Sequence, residues 1–204
     1  MAATSDRESD LQASPQASSL APTRSDLSRT VALIGMMGAG KTAVGRQLAR
    51  KLGAPFVDAD KEIEEAAGCT VAEIFAEHGE AHFRDGERRV IARLLDGPPC
   101  ILATGGGAYM QEETRELLRE RAVTVWLKAD FDVLWKRVSK RGHRPLLKTA
   151  DPQGTLRRLM EEREPVYAHA DLTVDSGEQT KDAMADKVLE ALREAALMEE
   201  DTAR

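Results

Sequence analysis

The chain has 204 residues, a hydrophobic fraction of 42% and only 4% aromatics, so Leu, Val, Ile and Ala must fill its core. A formal net charge of −6 argues against a general nucleic-acid binder, which carries a basic face. No apolar run reaches the roughly 18 residues that a membrane helix needs, and the two cysteines, Cys69 and Cys100, have no metal-ligand spacing and cannot make a disulfide scaffold at this size. Reduced, buried thiols in a cytoplasmic protein are the expectation.

Residues 1–29 are rich in Ser, Ala, Gln, Asp and Arg and lack an apolar stretch of signal-peptide length. Their acids, Asp6, Glu8, Asp10 and Asp26, are unlike an organellar transit peptide, so the segment reads as a disordered tail before one domain over 30–204. The domain opens with Val31-Ala32-Leu33-Ile34, a buried strand by its β-branched, apolar run. Next comes Gly35-Met36-Met37-Gly38-Ala39-Gly40-Lys41-Thr42, which fits the phosphate-loop pattern G-x-x-x-x-G-K-[ST]. Val44, Leu48 and Leu52 then recur at helical spacing. Glycines let such a loop turn its N–H groups inward, and the following helix adds partial positive charge. Lys41 would reach the β- and γ-phosphates, and the Thr42 hydroxyl would ligate Mg²⁺. A nucleoside triphosphate is the implied ligand.

Further strands read at about 54–58, 100–104, 122–128 and 171–175, and helices at about 41–52, 60–67, 71–78, 80–95, 112–120, 131–140, 154–168 and 180–198. Short, continuously apolar strands alternating with helices predict a parallel sheet covered on both faces. Its ligands gather at the carboxyl ends of the strands. A basic segment, with Lys136, Arg137, Lys140, Arg141, His143, Arg144 and Lys148 around Gly142 and Pro145, reads as a lid over phosphates at about 136–152.

Phe56-Val57-Asp58-Ala59-Asp60 places two carboxylates just past a strand. Asp58 could serve Mg²⁺ beside Thr42, and Asp60 could accept a proton or hydrogen bond from an attacking hydroxyl. The alternative for Asp60 is a helix N-cap. Gly105-Gly106-Gly107 ends the strand Ile101–Thr104 and would let a ligand lie on backbone amides. Arg84 and Glu87 share a helix face, and Arg163 lies on a later helix; two arginines meeting over a cleft make a carboxylate or phosphate clamp. His78, His82 and His169 sit on helical stretches without metal spacing, and Trp126 and Trp135 read as packing residues.

Taken in order, these pieces resemble the shikimate kinase family. The matching residues are Gly35–Thr42 with Val44-Gly45, Phe56–Asp60, Ile74-Phe75, Gly79–Arg84 with Glu87, Gly105–Gly107, Arg144-Pro145-Leu146-Leu147, and Arg163 before Pro165 and Tyr167. The resemblance runs over about 31–175. It implies a P-loop kinase fold of the nucleoside monophosphate kinase type, with a central parallel five-stranded sheet, flanking helices and a lid. The implied reaction is ATP-dependent phosphorylation of the shikimate 3-hydroxyl, with one Mg²⁺ bound with ATP. On this resemblance Gly38, Ala39, Gly40, Lys41, Thr42, Ala43, Arg137 and Arg144 would bind ATP, Arg137 stacking near adenine and Arg144 near the transferring phosphate. Asp60, Arg84 and Arg163 would hold shikimate, with Gly105–Gly107 lining the pocket and Phe75 and Glu87 shaping it. Lys41, Asp60 and Arg144 would carry the chemistry, and Thr42 and Asp58 the metal. A gluconate kinase of the same fold and a non-catalytic nucleotide-binding module are the competing readings. Paired arginines favour the first reading over gluconate, and Lys41, Thr42, Asp60 and Arg144 together argue against loss of catalysis. A monomer is the default expectation.

Overall fold

The computed structural model describes residues 27–140, 147 and 149–202. Five strands, β1 (Thr30–Ile34), β2 (Phe56–Asp58), β3 (Ile101–Ala103), β4 (Ala122–Lys128) and β5 (Leu172–Asp175), form one parallel sheet in the order β2-β3-β1-β4-β5. Among the described residues, seven α-helices flank it: α1 (Lys41–Leu52), α2 (Ala59–Ala67), α3 (Val71–Leu95), α4 (Glu112–Arg121), α5 (Phe131–Val138), α6 (Pro152–Tyr167) and α7 (Lys181–Thr202). β1 is central and buried along its whole length. Leu33, Ile34, Ile101, Leu102 and Leu127 are fully buried with it. Continuous apolar strands are what a sheet covered on both faces requires.

Local signals explain most helix boundaries. α3 starts at a capping box: the Glu73 N–H donates to Thr70 Oγ1 at 3.2 Å, and the Thr70 N–H to Glu73 Oε2 at 2.7 Å. Gly79, at φ 79°, breaks α3 internally where the sequence separates two helices. α2 begins at Ala59, one residue before the expected start, so Asp60 lies inside the first turn and is not the N-cap. β2 is shorter than expected; Pro55 has no N–H to give and contributes only its carbonyl, to the Ile101 N–H at 2.8 Å. α6 starts at Pro152, ahead of the expected residue, because Asp151 accepts from the Gly154 N–H at 2.9 Å and Pro152 suits the first helical turn. A 3₁₀ turn at Ala108–Met110 follows β3 and was not expected.

The fold is tied down before β1. Leu27 packs against the core, and Arg29, placed by composition in the tail, donates to the carbonyls of Glu120 at 2.8 Å and Ala122 at 3.2 Å. Those carbonyls lie at the end of α4, where a cation also meets the helix dipole. Residues 1–26 of the expected tail lie outside the described residues. Cys100 is buried and Cys69 half-buried, both as free thiols. Among the described residues, no helix is long and apolar enough to cross a membrane.

Candidate active site

Every strand delivers its carboxyl end to the same edge of the sheet. β1 runs into the phosphate loop, whose Gly35, Gly38 and Gly40 take φ of 131°, 85° and 101°. Only glycine holds such angles without strain, and the turn they make delivers the chain to the head of α1. Lys41 Nζ donates to the loop's own carbonyls, Gly35 O at 2.7 Å and Met36 O at 3.1 Å, which keeps the ammonium over the loop. The Thr42 hydroxyl donates to Asp58 Oδ2 at 3.0 Å, joining the head of α1 to the end of β2. A cavity of about 930 Å³ opens from this point, lined by Gly38 to Val44, Asp58, Asp60, Gly106, Arg137 and Ser176 among others.

Arg137 closes the far side of the phosphate loop. Its Nη1 donates to Gly38 O at 3.2 Å and Ala39 O at 3.3 Å, and its Nη2 to Gly177 O at 2.5 Å. The edge of the guanidinium is thus engaged by backbone carbonyls and the Ser176 hydroxyl. Burial lowers its pKa from the usual value, partly offset by Glu178. Ser176, buried past the end of β5, donates to Ala39 O at 3.0 Å and accepts from Arg137 at 3.2 Å. The sequence reading missed Ser176; its one signal is a position just beyond a predicted strand end.

A second group of residues adjoins this cavity through Asp60 and Gly106. α3 presents Arg84 and Glu87, paired at 2.6 Å, with Glu80 also on Arg84 at 3.1 Å. Glu87 is buried, and its Oε1 accepts no hydrogen bond from the described residues. Burial pushes its carboxyl pKa up; Arg84 opposes this, while Asp60 and Glu80 add to it. Burial alone would lower Arg84, but Glu87 and Glu80 outweigh it and raise its pKa.

The glycine triplet explains itself sterically. A Cβ on Gly105 would stand 2.6 Å from Glu87 Oε1 and 2.9 Å from Asp60 Oδ1, and one on Gly107 would strike the Arg84 guanidinium. Both carboxylates and Arg84 therefore close directly onto backbone. Arg163, one of the few buried charges, donates from Nη1 to Gly106 O at 3.2 Å. Phe75 stacks near Phe83 at 4.6 Å, and Arg84 lies over both rings.

The structure thus gathers the expected acceptor-site residues Asp60, Phe75, Arg84, Glu87, Gly105–Gly107 and Arg163, and places the ATP-loop residues with Arg137 beside them. Arg144, with His143 and the middle of the expected lid (141–146 and 148), lies outside the described residues. His78 and His82 are exposed, their rings 4.8 Å apart, and His169 is exposed; no metal-holding cluster of His, Cys, Asp and Glu occurs among the described residues. Trp126 is buried in β4, and half-buried Trp135 stacks on Phe131.

Comparison with known proteins bears on the family and the fold. The family model described as shikimate kinase matches residues 37–193. A shikimate kinase from Bradyrhizobium diazoefficiens is 57% identical over 189 residues, covering 93% of this chain and 90% of that protein. Among solved structures, shikimate kinase from Acinetobacter baumannii in complex with shikimate has a TM-score of 0.79 at 38% identity, covering 82% of this chain and 94% of that one. A gluconokinase from Sinorhizobium meliloti, at 19% identity and a TM-score of 0.59, covers 86% of this chain and 98% of that one and shares the fold. With its phosphate loop, paired arginines and glycine triplet at one edge of a five-stranded sheet, and with these matches across the domain, the chain belongs to the shikimate kinase family.

Proposed function

We infer that the enzyme carries out ATP-dependent phosphorylation of the shikimate 3-hydroxyl, a step of aromatic amino-acid biosynthesis, by dividing the work between the two adjoining sites. One observation carries this reading: Arg84 and Arg163, from different helices, flank a glycine triplet beside Asp60, against the wall of the nucleotide cavity. Two guanidinium groups suit a carboxylate, through paired N–H donors. Asp60 accepts the hydrogen bond of the acceptor hydroxyl and orients it toward the γ-phosphorus. As the new P–O bond forms, the bond to the ADP oxygen breaks. Such a transition state needs positioning and charge neutralisation more than covalent help.

On the nucleotide side the inward N–H groups of residues 38–43 receive the phosphates, and Lys41 exchanges its loop carbonyls for phosphate oxygens. The pair Thr42 and Asp58 suits Mg²⁺: two hard oxygens meet at the loop mouth, and this ion takes few protein ligands beside water and phosphate. Bound there with ATP, Mg²⁺ supplies charge neutralisation on the phosphates. Arg137 offers its face to adenine, and Arg144, placed by family resemblance, would meet the transferring phosphate. A cytoplasmic monomer acting on ATP and shikimate, without nucleic acid or membrane, completes the reading.

Arg163→Ala and Arg84→Lys test the acceptor side. Each raises the shikimate KM about tenfold or more while leaving the ATP KM within about twofold, the loss of a bidentate pair costing roughly 1.5–3 kcal/mol. An unchanged shikimate KM in both variants refutes the carboxylate assignment.

A further inference from the structure

Tyr167 is fully buried, yet its hydroxyl stands at the junction of the two sites. It ends α6, one helical turn after Arg163, so both side chains project from one face. The Tyr167 hydroxyl donates to Gly106 O, the same carbonyl that accepts from Arg163 Nη1 at 3.2 Å. The two lone pairs of that oxygen are thereby both used. The phenol oxygen also stands 4.0 Å from Met36 Sδ, and the Met36 carbonyl accepts from Lys41 Nζ at 3.1 Å.

Gly106 is itself within ordinary contact distance of both sites. A Cβ built on it would stand 3.6 Å from both Gly35 O and Met37 N of the phosphate loop and 3.7 Å from Arg163 Nη1. The Gly106 position is thus within contact reach of both the phosphate loop and Arg163, and its carbonyl is held by Arg163 and Tyr167. The rings of Trp126 at 5.9 Å and Tyr109 at 6.5 Å hold the phenol in place. Burial raises the phenol pKa, so the group stays a donor through the neutral range.

We propose that Tyr167 is a positioning residue: by fixing the Gly106 carbonyl between Arg163 and the phosphate loop, it couples nucleotide binding to shikimate binding. Filling the nucleotide site moves the loop that Gly106 leans on, and the phenol transmits that change to the carbonyl which aligns Arg163. The proposal rests on Arg163 as an acceptor-site residue, and shikimate affinity of Arg163→Ala, measured without nucleotide, tests that premise separately.

The test is calorimetric titration of shikimate into the protein with and without MgADP, for wild type, Tyr167→Phe and Tyr109→Phe. Tyr109 is equally buried, but its hydroxyl donates to His169 O at 3.1 Å, away from Gly106. The wild type is expected to bind shikimate about fivefold or more tightly when MgADP is present, the low end of measured coupling between sites. Tyr167→Phe brings that ratio close to one, and Tyr109→Phe keeps it. A purely structural role would lower thermal stability in both variants and leave both ratios alike, which overturns the proposal. A wild-type ratio of one, or an unchanged ratio in Tyr167→Phe, overturns it as well. Met36→Leu, which removes the sulfur contact without touching the phenol, provides a second reading and should lower the ratio in part; an unchanged ratio there removes the Met36 limb of the coupling.

Discussion

Deleting either partner of the Arg84–Glu87 pair should have unequal cost. The two side chains are 14% and 1% exposed and 2.6 Å apart, a nearly buried ion pair. Removing one member of such a pair typically costs about 3–5 kcal/mol, because the other charge stays desolvated. In Glu87→Ala, Arg84 retains Glu80 at 3.1 Å, whose side chain is 67% exposed and contributes at most about 1 kcal/mol. The same change also removes a carboxylate oxygen that accepts no hydrogen bond from the described residues, relieving a desolvation cost of about 1–3 kcal/mol. The net loss should be only about 1–2 kcal/mol. Arg84→Ala, by contrast, leaves Glu87 buried beside Asp60 and Glu80 without its cation, and should cost about 3 kcal/mol or more. The double variant should cost less than the sum of the two by about 2 kcal/mol.

The pH dependence carries the same signature. The folded Glu87 carboxyl holds its proton more tightly than an ordinary one near 4.5, chiefly through burial. The stability that protonation adds is fully present below that ordinary value and is lost as pH rises through the raised folded value. Arg84→Ala removes the favourable charge beside it and extends this loss to higher pH, while Glu87→Gln abolishes it. Urea denaturation across pH 4–8 measures the wild type and the four variants. Equal costs for the two single variants, additive behaviour in the double, or an unchanged pH slope in Glu87→Gln would refute this account of the pair.

Three further outcomes are expected. Gly107→Ala pushes a methyl against the Arg84 guanidinium, 2.8 Å from its Cζ, and should lower kcat/KM for shikimate by up to about 10²-fold, read by steady-state kinetics. Thermal stability should change little, since the far end of a flexible side chain gives way. Thr70→Ala deletes the capping box of α3 and should cost about 1 kcal/mol, a fall of about 2–4 °C in Tm by calorimetry. Thr42→Ala should raise the Mg²⁺ concentration needed for half-maximal rate and lower kcat by about 10²-fold, with shikimate affinity by titration unchanged.

Features encoded within a few residues were legible in the sequence. The phosphate loop combines its glycines, Lys41 and Thr42 with a strand before and a helix after, so eight residues predict the whole element. Gly79 separates two helical patterns, and the chain breaks there. Arg84 and Glu87 lie three apart on a helix, so their pairing follows from helical geometry. Long-range partners left no such trace. Arg163 meets Gly106 across 57 positions, and only family resemblance placed it in the site. Ser176 meets Ala39 across 137 positions, and Arg29 meets the end of α4 across 91, so neither partner is encoded near it in the chain. Composition therefore put Arg29 in the tail. The Asp151-Pro152 helix start was absorbed into the expected lid, although Asp followed by Pro is a helix-opening signal.

The central claim, that two arginines and Asp60 present shikimate to ATP on the phosphate loop, is tested most directly by ADP release from the purified protein with MgATP and either shikimate or gluconate, for wild type and Asp60→Asn. The account predicts turnover with shikimate and none with gluconate, with the rate falling to background in Asp60→Asn. Turnover on gluconate, or an Asp60→Asn protein that phosphorylates shikimate at the wild-type rate, would contradict it.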